Sequence, residues 1–141
     1  KDKGWLFDVD VYRGLINALP CATVIEWIKA NGIEAARRVA RHVPKPHLDA
    51  SGNPIVEPLT EFVLSTFGSD EKVFNAFYAG VHSLQLYSGD IAAEHEMEAA
   101  VARNFRAHPL AVIRKWAKLE EESSLYQAKS WREEREERKI E

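Results

Sequence analysis

The sequence is poor in cysteine and has no cluster of glycines, the residues of thiolate, disulfide and phosphate-loop chemistry. Of its 141 residues only Cys21 is a cysteine, which excludes an intrachain disulfide and any zinc site made from several thiolates. A single thiol fits a reducing, cytoplasmic setting. The seven glycines are scattered singly, so there is no glycine-rich phosphate loop, no dinucleotide fingerprint and no Gly-x-Ser-x-Gly elbow. No apolar run approaches the ~20 residues that span a bilayer. The opening Lys-Asp-Lys-Gly-Trp is not followed by the apolar stretch of a secretory signal. The only methionine is Met97, and the chain therefore reads as a segment or processed piece of a longer protein.

What is present is ordinary globular material. Hydrophobic residues make up 45% and charged residues 29% of the chain, too apolar for disorder and enough to bury the core of one domain over residues 1–141. The net charge of −3 is unevenly spread. Between residues 29 and 48, Lys29, Arg37, Arg38, Arg41 and Lys45 face Glu34 alone; between 49 and 102, nine acidic groups face Lys72 alone. Such asymmetry marks a possible interaction face without naming a partner.

Apolar residues recur at helical spacing along most of the chain. After the aromatic entry Trp5-Leu6-Phe7, Val11, Leu15, Ile16 and Leu19 form one stripe, halted by Pro20. A short helix carrying Val24, Ile25, Trp27 and Ile28 closes at Asn31-Gly32. The next, from Ile33 to Val43, turns Ala36, Val39, Ala40 and Val43 inward. Four prolines and a Gly-Asn step make 44–58 a long surface loop. Helicity resumes at Leu59 and ends at Gly68, with Ser69 as the expected N-cap of a helix over 70–88. On that helix Val73, Phe74, Phe77, Tyr78, Val81 and Leu84 form the inner stripe. Gly89 and Asp90 repeat the stop and cap. The stretch 91–108 is rich in small residues (Ala92, Ala93, Ala99, Ala100, Ala102), which admit a close neighbouring helix. Pro109 opens a last helix with Leu110, Ile113, Trp116, Ala117 and Leu119 on its inner side. Beyond Glu120 that helix turns polar, with Arg132–Glu136 and Glu134–Arg138 as supporting pairs. A projecting or fraying end is expected over 120–141. The fold class is all-α, with about six to seven helices.

Three helix starts look alike: PCATVIEWI from Pro20, PLTEFVLSTF from Pro58 and PLAVIRKWA from Pro109, spaced by 38 and 51 residues. This pattern resembles that of HEAT-like α-solenoids over residues 11–119. The resemblance implies antiparallel helix pairs stacked as a short solenoid, with the polar last helix as a cap at the end of a longer array. An irregular helical bundle is the alternative.

Several residues invite chemistry. His95 lies in Ala-Glu-His-Glu-Met-Glu, but the zinc-protease helix needs a second His four positions on, where Ala99 stands. Asp90, Glu94 and Glu98 with His82 or His95 would be the groups of a metal-dependent enzyme; a solvated acidic face is the preferred reading, with no cofactor and no metal. Cys21, at a helix start where thiols are sometimes activated, reads as a buried small hydrophobe. The basic run Arg37, Arg38, Arg41, His42, Lys45 gathers cations beside the proline loop, where they complement a helix C-terminus or meet phosphates or an acidic partner. Trp5, Trp27 and Trp116 read as core, whereas Trp131 with Tyr126 on the polar helix reads as an anchor for a partner. The expectation is a non-catalytic protein–protein interaction or scaffolding domain of a larger, bacterial-type multidomain protein. Nucleic-acid or phosphate binding through 37–47 is the alternative, and an enzyme the third reading.

Overall fold

The computed structural model describes residues 16, 18–82 and 89–140. The stripe expected over Val11–Leu19 lies almost wholly outside these residues, as do Trp5 and the final turns expected at 83–88. Among the described residues the protein is mainly α-helical: six α-helices and one two-stranded ribbon. They fall into two units, residues 1–83 and 84–141.

In the first unit, α1 (Cys21–Asn31) starts as Pro20, extended at ψ 142°, offers its carbonyl to the amides of Thr23 and Val24. It buries Val24 and Ile28. Gly32 ends it at φ +75°, a left-handed conformation that costs glycine little, and donates its N–H to the Ile28 carbonyl at 2.7 Å. The chain then turns straight into α2 (Ile33–Val39), which buries Ala35, Ala36 and Val39. The helix expected to reach Val43 tightens to a 3₁₀ turn over Ala40–His42, because Pro44 forces Val43 into extended backbone. Ala36, Val39, Ala40 and Val43 are all buried, as the spacing predicts.

The loop holds more order than its prolines suggest. Short strands β1 (His47–Leu48) and β2 (Pro54–Ile55) pair antiparallel, with His47 opposite Ile55. The Asp49 carboxylate closes the turn by accepting the amides of Ser51 and Asn53, both at 2.9 Å. Next, α3 (Pro58–Phe67) carries proline at its first turn and buries Leu59, Thr60, Val63 and Leu64. The Thr60 hydroxyl donates to the Pro44 carbonyl at 2.7 Å, pinning the loop to the helix. α4 (Glu71–His82) buries Val73, Phe74, Phe77 and Val81, with Tyr78 stacked on Phe74. Its cap is Asp70 rather than Ser69: the Asp70 carboxylate accepts the Val73 amide at 3.0 Å. Gly80 lies against the backbone of Arg41, where a Cβ would stand 2.7 Å from the carbonyl carbon. Only glycine allows that approach.

The second unit is a helical hairpin. α5 (Ile91–Arg103) is capped by Asp90, whose carboxylate accepts the Ala93 amide at 3.1 Å. It buries Ala92, His95, Ala99 and Ala102 at alternating spacings of three and four. α6 (Ala111–Ile140) runs back along it and buries Ile113, Trp116, Ala117, Glu120, Glu121, Ser124 and Ala128. The small residues of α5 face the larger ones of α6, and Phe105 in the connecting turn packs edge-on to Trp116 at 5.5 Å. Two expectations fail here. Ile113, Trp116 and Ala117 are buried as the spacing predicts, but Leu119 is 37% exposed while Glu120, at 1%, takes the inner position. And α6 does not project: Arg132 pairs with Glu96 and Arg135 with Asp90, which ties the polar half of α6 to α5.

Candidate interaction surface

The basic run is not one patch of solvent-facing cations. Arg37 is half-buried and grips Asp70 at two points, Nε to Oδ1 at 3.1 Å and Nη2 to Oδ2 at 2.8 Å, while Nη1 reaches Glu34 at 2.8 Å. This guanidinium, together with the Val73 amide, lowers the Asp70 pKa to about 2. Arg38 and Arg41 are exposed three residues apart, on one side of the helix-to-3₁₀ junction. His42 and Lys45 are half-buried. His47 turns to Glu57 at the base of the ribbon, 3.6 Å away. The structure thus leaves Arg38 and Arg41 as outward cations and uses Arg37 to join α2 to α4.

The acidic helix is divided in the same way. Asp90 serves as the cap and pairs with Arg135; the Ala93 amide and the Arg135 guanidinium hold its pKa below the ordinary value. Glu96 is lowered by its contact with Arg132. His95 is turned into the hairpin with Nδ1 3.0 Å from Glu98. The side chain of His82 lies outside the described residues. Among the described residues no three His, Cys, Asp or Glu side chains gather as metal ligands. Cys21 is exposed rather than buried, because it occupies the first position of α1, one turn before the inner stripe begins at Val24.

Trp131 and Tyr126 do not share a face of α6. Five residues apart, they point roughly 140° from one another at 3.6 residues per turn. Trp131 is half-buried on the inner side, where with Gly89, Ile91, Glu134, Arg135 and Arg138 it lines a cleft of about 130 Å³. That is room for a side chain, well below the ~300 Å³ of a usual ligand pocket. Tyr126 lies on the opposite side, 69% exposed, beside Leu125 at 42%.

Leu125 escapes a reading of composition, since the sequence around it is polar. The phase of the helix finds it. Ile113, Ala117, Glu120, Ser124 and Ala128 fix the buried side of α6, and Leu125 and Tyr126 flank the meridian nearly opposite. Lys118, Glu122, Lys129 and Glu133 surround them, all exposed. The result is an apolar pair at the centre of a charged outer helix face, the arrangement of a contact surface with a polar rim.

No helix of the described residues is long and apolar enough to cross a membrane. No protein-family model matches the chain, and neither the curated proteins nor the solved structures contain a significant match to it.

Proposed function

We propose that the chain is a non-catalytic protein–protein contact or scaffolding domain that works through the outer face of α6. The observation that carries this reading is the exposure of Leu125 and Tyr126 on a helix whose inner face is already filled by its partner in the hairpin. Tyrosine at the centre of a charged face is a frequent energetic anchor of interfaces, since it brings a large apolar ring at low entropic cost. The setting proposed for it is a larger cytoplasmic protein. There the proline-led helix starts belong to a HEAT-like array.

A photo-crosslinking residue at position 126, compared with one at exposed Glu26 in the first unit, tests the contact face in living cells. A protein adduct at 126 that is absent at 26 supports the reading. No adduct at 126 overturns it.

A further inference from the structure

We propose that the partner for this face is a second copy of the same chain, with the two α6 helices antiparallel about a two-fold axis between residues 125 and 126. The inference rests on the reading of this face as a contact surface and goes further by naming what covers it. It is argued from charge complementarity and helix phase.

A two-fold at this step sets Leu125 against the partner's Tyr126, and Tyr126 against the partner's Leu125. Moving outward in both directions, Glu122 meets the partner's Lys129 and Lys118 meets the partner's Glu133. One turn further Lys115 meets the partner's Glu136. Every charged position in this series opposes the other sign, and each contact occurs twice by symmetry. All of these residues are exposed. At 100° per residue, the members of each pair lie on either side of one meridian, on the order of 150° from the middle of the buried stripe. The symmetric face and the uncovered face therefore coincide.

The parallel pair and the adjacent antiparallel registers lack this match. A parallel, in-register pair sets Glu122 on the partner's Glu122 and Lys129 on the partner's Lys129. Moving the antiparallel axis one turn toward the N-terminus puts Glu122 on its own copy and Lys115 on the partner's Lys129. Moving it one turn the other way puts Lys129 on its own copy and Glu122 on the partner's Glu136. Like charges directly opposed disfavour each of these. Within one chain, Lys129 and Glu133 are only loosely paired, at 4.0 Å and with both side chains largely exposed. A partner's charges complete this contact without having to break a buried one.

Exposed ion pairs contribute little each, and the apolar centre is small. The dimer is accordingly weak, concentration-dependent and loosened by salt. Charge reversal decides the register. Glu122→Lys or Lys129→Glu alone turns two attractions into two repulsions and weakens self-association by about tenfold or more. The double substitution Glu122→Lys with Lys129→Glu restores it. An equimolar mixture of the two single variants forms the mixed dimer in preference to either alone.

The experiment is sedimentation equilibrium of the full chain and these variants at low salt, with circular dichroism to confirm that helix content is unchanged. Self-association that follows this pattern supports the proposal. A wild type that stays monomeric up to its solubility limit overturns it, as does a dimer that the single reversals leave intact or the double one does not restore. An adduct at position 126 to a different protein, with a monomeric chain, leaves the contact face standing and removes only the self-pairing. No adduct and no dimer removes both.

Discussion

Arg37 of α2 and Asp70 at the cap of α4 meet in a two-point ion pair, 3.1 and 2.8 Å long, between residues 33 positions apart. The same carboxylate accepts the Val73 amide and so starts α4. One side chain thus fixes where a helix begins and which helix it packs beside.

The pair gives stability a defined dependence on acid. Asp70 has a folded pKa of about 2 against an ordinary 3.8, so the unfolded chain binds its proton more readily. Its contribution is therefore complete above the ordinary value and drains away as pH falls toward 2. Asp49, Asp90, Glu96 and Glu121 are displaced in the same direction. Arg37→Met is expected to lower the Tm at neutral pH, while Arg41→Ala, which removes an exposed cation, leaves it nearly unchanged. The deficit of Arg37→Met narrows between about pH 4 and pH 2, because protonated Asp70 no longer holds the arginine. Melting curves across that range check it; a deficit that is constant with pH would show the pair to be idle.

Gly80 and Gly32 are both intolerant of a side chain, for different reasons. At Gly80 a methyl group meets the Arg41 backbone, which cannot swing aside as a side-chain end does. Gly80→Ala is expected to cost roughly 1–3 kcal/mol despite alanine's better helix propensity. At Gly32 the space is open and the penalty is the backbone itself, φ +75° with ψ −153°, a region kept to glycine that costs alanine roughly 1–3 kcal/mol. Urea unfolding measures both. Adding Arg41→Ala to Gly80→Ala brings no relief, because the obstruction is main chain.

The sequence carries the local signals well and the partners poorly. Pro20, Pro58, Gly32, Gly68 and Asp90 mark helix ends where the structure has them, and the inner stripes of α2 and α4 follow from spacing alone. What spacing cannot supply is the identity of the opposing surface. Glu121 is buried where Arg103, at the end of α5, and Arg106, in the turn after it, close on it at 2.6 and 2.7 Å from 18 and 15 residues away. Without that knowledge the apolar Leu119 looks like the inward residue. Arg37 looks like one cation in a patch for the same reason: its partner Asp70 belongs to a different helix. The short ribbon at 47–55 was hidden by prolines, one of which, Pro54, sits within a strand of only two residues.

Two ion pairs, Arg132 with Glu96 and Arg135 with Asp90, tie the polar half of α6 to α5, and removing them should loosen that half alone. In Arg132→Met with Arg135→Met, amide exchange is expected to accelerate over 129–140, while the stretch 111–124, held by Ile113, Trp116, Ala117 and Ser124, keeps its protection. Hydrogen exchange read by mass spectrometry resolves the two stretches. Uniform acceleration along α6 would mean that the ion pairs support the whole hairpin.

Ala99 and Ala100 are neighbours on α5 with the same side chain and opposite surroundings: Ala99 is fully buried against α6, and Ala100 is exposed. Leucine and alanine differ little in helix propensity, so an Ala→Leu change at each position isolates packing. At Ala100 the larger side chain enters solvent, and stability should stay within about 0.5 kcal/mol. At Ala99 it must be accommodated between helices brought together by small residues, which forces them apart or drives the side chain off its rotamer, at roughly 1–3 kcal/mol. The loss should appear in urea unfolding together with faster exchange over 91–103. Equal effects at the two positions would show that the close approach of α5 and α6 does not depend on the small residues between them.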